Sequence, residues 1–435
     1  MAHLSDLRTL LRLPGFRRLF ATRLTSQCAD GAFQVALASY VIFSPERLPS
    51  PAAIAGAFAV LLLPYSVVGP FAGVLLDRFS RRGVLVVCNL LRAAAMPAVI
   101  ALVVADAPTW AFYTAALLVL AVNRFVLAGL SASLPRVVEP AILVTANAVS
   151  PTAGTIAATA GGGLALAVGL LLPTGAVTTG AVLITTALLY GCSALAAAGF
   201  RPGALGPGTE ERLARAPVGR ELAGTARGML DGVRHLRERP RAGHALLAVV
   251  AMRFGYGLLT VTLLMLSRYT FNDPADPEAG MALLGVVVAA SGAGFLLAAL
   301  VTPYFAHRLG EGGWTVCCAA AGAVLVPALA LPFRQDLAVA AALVLGMVTQ
   351  GVKISTDTVV QRGVDDDYRG RVFSVYDVLF NASFVAAAAV AAAVLPPDGR
   401  SAVPVLVTAV LYAVTALAQA LAARHPGSGP RLTIT

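Results

Sequence analysis

Ionisable side chains interrupt several of the long apolar segments of this chain. Asp30 lies in the first segment, Arg124 in the fourth and Arg253 in the seventh, while Lys353 and Asp357 share the tenth. A charged side chain near the middle of a bilayer costs about 2.5–3.5 kcal/mol on insertion scales, so each residue needs a compensating role. The chemistry open to them is proton uptake by a carboxylate and binding of a charged compound.

The first apolar segment carries a polar stripe. Arg23, Gln27, Asp30 and Gln34 follow the spacing i, i+4, i+7 and i+11, which places them within about 60° of one another on a helix. Asp30 lies near the middle of this segment, far from either membrane surface. We therefore predict that Asp30 is the proton-coupling residue.

Polar side chains recur in the fourth, seventh and tenth segments, which hold the same place within each set of three. The candidate binding residues are Arg23, Gln27, Asp30, Gln34, Asn123, Arg124, Arg253, Tyr256, Gln350, Lys353 and Asp357. Three further polar residues are predicted to be buried, namely Arg92, Asp377 and Asn381.

Structural roles stay open for several of these residues. Lys353 and Asp357 are one helical turn apart and could pair within their helix instead of binding a proton or a ligand. Arg92 could serve as a packing cation for a neighbouring carboxylate. Arg23 and Asp377 lie near segment ends, where a long or polar side chain can reach the membrane surface.

The apolar segments themselves indicate a polytopic membrane protein. The chain has 435 residues and is 58% hydrophobic and 12% charged, whereas soluble domains carry about 25% charged residues. About 20 apolar residues span a bilayer as a helix. We predict an all-α membrane protein of twelve transmembrane helices in two pseudo-symmetric six-helix bundles. The helices are expected at residues 16–44, 52–76, 84–105, 109–134, 144–172, 175–199, 243–270, 280–306, 313–333, 337–361, 372–395 and 401–423.

One polar stretch divides the chain. Arg201–Arg241 contains nine arginines and five acidic residues, and we expect an amphipathic helix near residues 220–239. The predicted organisation is a cytoplasmic segment at 1–15, a bundle at 16–200, a cytoplasmic linker at 201–241, a second bundle at 242–423 and a cytoplasmic tail at 424–435.

Basic residues indicate the orientation. Only Arg47, Arg268, Arg334 and Arg400 fall in the predicted outer loops, whereas most other arginines fall in inner loops or the linker. Positively charged loops stay on the cytoplasmic side. We predict a multi-pass protein of the plasma (inner) membrane with both termini in the cytoplasm. The same bias accounts for the net charge of +10 without a nucleic-acid partner.

A short charged loop carries a family resemblance. Residues 73–83 read GVLLDRFSRRG, and their Gly73, Asp77, Arg78, Arg81 and Arg82 resemble the loop 2–3 signature of the major facilitator superfamily, with Ser80 at its middle glycine. Arg124 in NRFVLAG resembles the arginine of the family's helix 4 signature, although Leu127 replaces the glutamine that normally follows. Three stretches resemble the macrolide-efflux and enterobactin-exporter branch, namely SQCADGAFQVAL (26–37), LVTANAVS (143–150) and QRGVDDDYRGRVFSVYDVLFN (361–381).

The resemblance implies a central cavity lined by helices 1, 4, 7 and 10. It also implies a cytoplasmic gate in which the loop aspartate contacts the start of helix 11. The gate residues would be Gly73, Asp77, Arg78, Arg81, Arg82, Arg369 and Arg371.

The resemblance implies a secondary active transporter. We predict export of a small organic molecule, such as a drug, a siderophore or another natural product, from the cytoplasm by proton antiport with alternating access. The alternative is a proton-coupled symporter or importer of an anionic metabolite, because five buried bases outnumber three buried acids. We do not expect an enzyme, because the chain has a single aspartate run, Asp365–Asp367, where intramembrane prenyltransferases use two. We predict no metal or cofactor beyond the proton gradient, a small-molecule substrate and the lipid bilayer as partners, and a functional monomer.

Overall fold

The computed structural model describes residues 8–42, 51–69, 71–72, 78–139, 142–173, 175–206, 218–273 and 276–424, and all regular secondary structure among them is helical. The helices are α1 (Pro14–Ile42), α2 (Pro51–Val67), α3 (Arg81–Val104), α4 (Thr109–Ser133), α5 (Leu143–Leu171), α6 (Ala176–Ala198), α7 (Val218–Glu238), α8 (Pro240–Tyr269), α9 (Pro277–Ala330), α10 (Gln335–Gly363), α11 (Asp366–Val394) and α12 (Val403–Arg424).

Most of these helices can cross a membrane. Nine helices among the described residues, α3–α6 and α8–α12, are long and apolar enough to do so. The helix α1 lies in the first predicted span and carries Arg17, Arg18, Arg23 and Asp30, and α2 covers the first part of the second predicted span, 52–76, and ends at Val67. The all-α polytopic class predicted from hydropathy is therefore confirmed.

The segment α9 contains two helices, as predicted. The sequence predicted helices at 280–306 and 313–333 with a loop between them. The structure has two helices within the 54 residues of α9, and they meet at Gly310, where φ is 73° and ψ is 159°. Glycine adopts this positive φ without the steric cost that a side chain would incur. One glycine thus makes the turn that a loop was expected to make.

The chain forms two compact units. Unit 1 comprises Met1–Arg47 and Val60–Thr225, and unit 2 comprises Leu48–Ala59 and Ala226–Thr435. In unit 1, α1 packs against α5 and α6, and α3 packs against α4 and α6. The backbones of α1 and α5 approach closely, because a Cβ atom at Gly31 would collide with the carbonyl of Ala158 and one at Gly161 with the carbonyl of Cys28. Such contacts between small residues are typical of helices packed in membranes.

In unit 2, α8 is the central helix. It packs against α10, α11 and α12, while α9 packs against α10 and α12. Met252 of α8, Val348 of α10 and Tyr412 of α12 belong to one buried apolar core. The Tyr412 hydroxyl donates to the Met252 carbonyl at 2.9 Å, which satisfies the polar atom of that buried ring.

The end of the linker helix α7 and the residue after it contact the start of α11. His235 is buried and stacks on Tyr368, with ring centroids 4.4 Å apart and an interplanar angle of 4°. Arg239 donates to both carboxylate oxygens of Asp365, at 3.0 and 2.9 Å. Asp365 is the first residue of the aspartate run, and it forms an ion pair at the start of α11.

Candidate functional site

Arg92 of α3 lies at the centre of a buried polar cluster in unit 1. Arg92 is 1% exposed. Its Nη1 donates to Asp30 Oδ1 at 2.7 Å and to Asn123 Oδ1 at 2.9 Å. Its Nη2 donates to Ser26 Oγ at 2.7 Å and to Asn89 Oδ1 at 2.5 Å. Both terminal nitrogens of the guanidinium therefore bind two acceptors each.

Tyr190 of α6 completes this cluster. Its hydroxyl donates to Asp30 Oδ1 at 2.9 Å, and the Arg92 guanidinium carbon lies 4.1 Å from the centre of its ring. A cation over an aromatic face gains about 0.5–2 kcal/mol. We call Ser26, Asp30, Asn89, Arg92, Asn123 and Tyr190 the Arg92 cluster. It connects α1, α3, α4 and α6.

The Asp30–Arg92 ion pair dominates the electrostatics of this cluster. Asp30 is 4% exposed, so neither charge is solvated by bulk water. Removing one partner of a buried ion pair typically costs about 3–5 kcal/mol, because the other charge is left uncompensated. A proton on Asp30 would have a related effect, since it would cancel the charge that attracts Arg92. Arg92 therefore lies against a neighbouring carboxylate, and whether its role is structural or functional stays open.

The polar stripe on α1 does not face a single partner. Asp30 contacts α3 and α6, whereas Gln27 lies against α5, where a Cβ atom at Gly154 would collide with its amide. Arg23 is 5% exposed, and its Nη2 lies 3.5 Å from Ser131 Oγ at the end of α4. Gln34 is exposed. The spacing correctly grouped the four residues on α1, but the neighbouring helices separate them.

Arg253 of α8 has different surroundings in unit 2. Its guanidinium carbon lies 4.4 Å from the ring centre of Phe380, 4.7 Å from that of Phe384 and 5.3 Å from that of Tyr256. Among the described residues no carboxylate pairs with Arg253, and its Nε is buried without a hydrogen-bond partner. Each ring contact contributes about 0.5–2 kcal/mol, whereas burying a charge costs several kcal/mol.

Lys353 and Asp357 pair within α10, as one of the two open alternatives predicted. Lys353 Nζ lies 2.7 Å from Asp357 Oδ2, and the two side chains are 31% and 29% exposed. The Lys353 ammonium also lies 5.8 Å from the ring centres of both Tyr376 and Phe380. Phe380 thus contacts both cations of this region, which links α8, α10 and α11.

The remaining candidate residues differ in their burial and hydrogen bonds. Tyr256 shares a hydrogen bond of 3.0 Å with Ser291, Gln350 is half-buried and Arg124 is 8% exposed. Asn381 is buried and donates to the Asp377 carbonyl at 2.8 Å.

Asp377 itself was predicted to be buried and is exposed, so that prediction is wrong. It lies about 200° around the helix from the buried Val375 and about 40° from Asn381, so it shares its side of α11 with Phe380 and Phe384.

The predicted gate arginines of unit 1 bind carbonyl groups. Arg81 Nη1 donates to the carbonyls of Ala132 at 3.0 Å and Leu205 at 3.3 Å. Arg82 Nη2 donates to the carbonyl of Ala198, the last residue of α6, at 2.9 Å. Cations at helix C-termini satisfy free carbonyls and the helix dipole. These arginines therefore stabilise helix ends within their own unit.

The other gate residues divide into two sets. Gly73 and Asp77 lie outside the described residues, so the contact predicted for Asp77 stays a prediction. Arg78 and Arg369 are half-buried. Arg371 is exposed, stacks over Tyr368 at 5.2 Å and lies close to the linker helix at Gly228 and Gly232.

Several residues around Arg92 and Arg253 were not among the predicted site residues. Asn89 precedes Arg92 by three residues, a helical spacing that places the two side chains next to each other. Phe380 and Phe384 are one turn apart on α11, but aromatic residues at this spacing are common in apolar helices. Tyr190 is 160 residues from Asp30, and no local pattern predicts their contact.

Comparisons with known proteins agree with this architecture. A sequence model described as the Major Facilitator Superfamily matches residues 19–388. The chain is 35% identical over 405 residues, which is 93% of this chain and 90% of the relative, to a protein of Mycobacterium tuberculosis (strain ATCC 25618 / H37Rv) described as the uncharacterized MFS-type transporter Rv0037c.

Two solved structures share the fold at low sequence identity. The nucleoside transporter NupG has a TM-score of 0.66 and 17% identity, covering 93% of this chain and 98% of that one. The peptide transporter POT in complex with sulfate has a TM-score of 0.68 and 12% identity, covering 94% of each chain. From its helices, its buried charges and these matches, the chain belongs to the Major Facilitator Superfamily and is a multi-pass membrane transporter.

Proposed function

We propose that this transporter exports a small organic molecule from the cytoplasm by proton antiport. It would lie in the plasma membrane with both termini in the cytoplasm, as the distribution of arginines favours. The drugs, siderophores and other natural products moved by the macrolide-efflux and enterobactin-exporter branch are the proposed substrates. The observation that carries this proposal is the buried Asp30–Arg92 ion pair.

The ion pair offers two states that a proton can interconvert. With Asp30 ionised, Arg92 Nη1 binds it at 2.7 Å and Tyr190 donates to the same oxygen. With Asp30 protonated, the Coulombic attraction is lost, while Arg92 keeps Asn123, Ser26 and Asn89 as acceptors. The arrangement of α1 against α3 and α6 would then differ between the states, which is the requirement for coupling a proton to alternating access.

The cost of breaking the ion pair is similar in size to the energy that the proton gradient provides. Breaking a buried ion pair costs about 3–5 kcal/mol, so thermal motion alone rarely achieves it. Moving one charge across a membrane potential provides about 2.3 kcal/mol per 100 mV, and a pH gradient adds to this. A proton that neutralises Asp30 on one side and leaves on the other can therefore drive the change.

The test is transport by the purified full-length protein in proteoliposomes. Uptake of a catecholate siderophore, a macrolide and ethidium is measured with and without an imposed pH gradient. We expect at least one compound to move with an antiport dependence on the gradient, and Asp30→Asn to abolish this dependence. Transport by Asp30→Asn at the wild-type rate would refute the role of Asp30.

A matched acid provides the control. Asp336 lies at the start of α10 and pairs with Arg334 at 2.9 Å, and both side chains are exposed. Asp336→Asn removes the same charge from another apolar helix without touching the Arg92 cluster. We expect it to retain gradient-driven transport.

A proton-coupled symporter or importer of an anionic metabolite is the second candidate. Arg253, which has no carboxylate partner among the described residues, favours an anionic compound. The sign of the gradient separates the two candidates in the same vesicles. In antiport the substrate moves toward the acidic side, because protons leave that side as the substrate enters it. In symport the substrate moves away from the acidic side together with the protons.

A further inference from the structure

We propose that unit 2 contains a binding site for an organic monoanion with a flat aromatic ring system. Arg253 would bind the anionic group, and the rings of Tyr256 and Phe380 would contact the flat apolar part. The inference rests on the proposed function in one respect, namely that the chain handles a small organic molecule. It adds the chemical class of that molecule.

The charges of this region support a single negative charge on the ligand. Lys353 and Asp357 form an ion pair at 2.7 Å and neutralise each other. Arg253 has aromatic contacts and no carboxylate partner among the described residues, while the carboxylate of Asp377 lies on the same side of α11 as the rings. An uncompensated charge in an apolar helix is unfavourable, and a bound anion would compensate it.

The aromatic residues support a flat ligand. Phe373, Tyr376, Phe380 and Phe384 follow the spacing i, i+3, i+7 and i+11, which places them on one side of α11. Tyr376 and Phe380 are nearly parallel, with an interplanar angle of 9° and centroids 5.9 Å apart. Tyr256 approaches Phe384 from α8, with centroids 6.1 Å apart. Offset stacking against such rings favours a planar ligand over a saturated one.

Parts of the site are exposed. Arg253, Tyr256 and Phe380 are half-buried, whereas Phe384 is buried behind them. The Lys353 and Asp357 side chains keep about a third of their surface exposed beside Phe380. A ligand could therefore contact the guanidinium and the outer rings without displacing the core of unit 2.

The experiment is equilibrium dialysis of the purified full-length protein in lipid nanodiscs, with no pH gradient and with empty nanodiscs as the blank. The probes are naphthoate, its charge-reversed match naphthylmethylammonium, and the saturated anion decalin carboxylate. We expect naphthoate to bind more tightly than either. Equal affinity for naphthoate and the cation would overturn the inference.

Three variants locate the site. Arg253→Gln should weaken naphthoate binding by about tenfold to a hundredfold, the usual effect of losing a charge-assisted hydrogen bond. Arg253→Lys keeps the charge, so it should bind more weakly than wild type and more tightly than Arg253→Gln. Phe380→Leu should reduce the preference for naphthoate over decalin carboxylate. If Arg253→Gln does not fold, the other two variants decide: wild-type binding and selectivity in both would overturn the site.

The matched control is Arg308→Gln. Arg308 is exposed, and its guanidinium lies 4.7 Å from the ring centre of Tyr304, the same distance as Arg253 from Phe384. We expect this variant to bind naphthoate like wild type. Binding is measured without a gradient, so the two proposals can fail separately. Naphthoate binding without gradient-driven transport would support this site and refute antiport. Gradient-driven transport without naphthoate binding would refute only this site.

Discussion

Arg92 and Arg253 both lie in apolar helices, but their surroundings differ in kind. In unit 1, Arg92 has a carboxylate at 2.7 Å, three further oxygen acceptors and a tyrosine ring. In unit 2, Arg253 has three aromatic rings and no carboxylate among the described residues. The charge of Arg92 is balanced by a carboxylate inside the protein, whereas Arg253 has no such partner among the described residues.

This difference suggests separate roles for the two clusters. A proton that binds Asp30 would remove its attraction to Arg92, as proposed. An anionic ligand that binds beside the aromatic rings would neutralise the charge of Arg253, as proposed. Proton coupling and ligand binding would then depend on different residues, so each can be tested while the other is left intact.

The largest expected effect is the contrast between two truncations. Arg92→Met leaves Asp30 buried without its partner and should destabilise the protein by about 3–5 kcal/mol. Arg253→Met leaves no carboxylate behind and retains apolar contact with the rings, so we expect a loss below about 1 kcal/mol. Denaturant unfolding of both variants in the same detergent measures the difference. Equal losses would contradict the comparison.

A ligand should stabilise the protein through unit 2. Naphthoate at a hundred times its Kd should raise the free energy of unfolding by about 2.7 kcal/mol, because it binds only the folded protein. Arg253→Gln, with its Kd raised tenfold to a hundredfold, should gain only about 0.4–1.4 kcal/mol at the same concentration. Thermal unfolding with and without naphthoate measures it, with Arg308→Gln as the control that retains the wild-type shift.

Two buried tyrosines sharpen the comparison further. Tyr190→Phe removes a hydrogen bond to the Asp30 carboxylate and should cost about 1.5–3 kcal/mol, as bonds to charged groups do. Tyr412→Phe removes a hydrogen bond to the neutral Met252 carbonyl and should cost about 0.5–1.5 kcal/mol. Both substitutions keep the ring, so denaturant unfolding isolates the hydroxyl. A larger loss for Tyr412→Phe would argue against an ionised Asp30.

The smallest effects are expected for arginines near the helix ends. Arg82→Gln removes a cation from the last carbonyl of α6 and should cost about 0.3–1 kcal/mol. Arg362→Gln breaks an ion pair with Glu311 whose arginine is 75% exposed, and should cost about 0.2–1 kcal/mol. If Arg82→Gln left stability intact but abolished transport, Arg82 would act as a gate residue and not as a helix cap.

Much of the architecture follows from local features of the sequence. Hydropathy located the transmembrane helices, and the arginine-rich stretch located the linker helix that the structure places at Val218–Glu238. The pairing of Lys353 with Asp357 followed from their separation of four residues. These predictions succeeded because helix formation and contacts one turn apart depend only on neighbouring residues.

Tertiary structure alone decided which partners the buried charges have. The contacts of Arg92 with Asp30 and Asn123 join residues 62 and 31 positions apart, and Tyr190 reaches Asp30 across 160 positions. The exposure of Asp377, the carbonyls bound by Arg81 and Arg82, and the rings around Arg253 likewise depend on how each helix is rotated against its neighbours. The sequence by itself determined that charges lie inside apolar helices. Helix packing decided whether each charge is paired, because a buried charge can pair only with a side chain that a neighbouring helix places beside it.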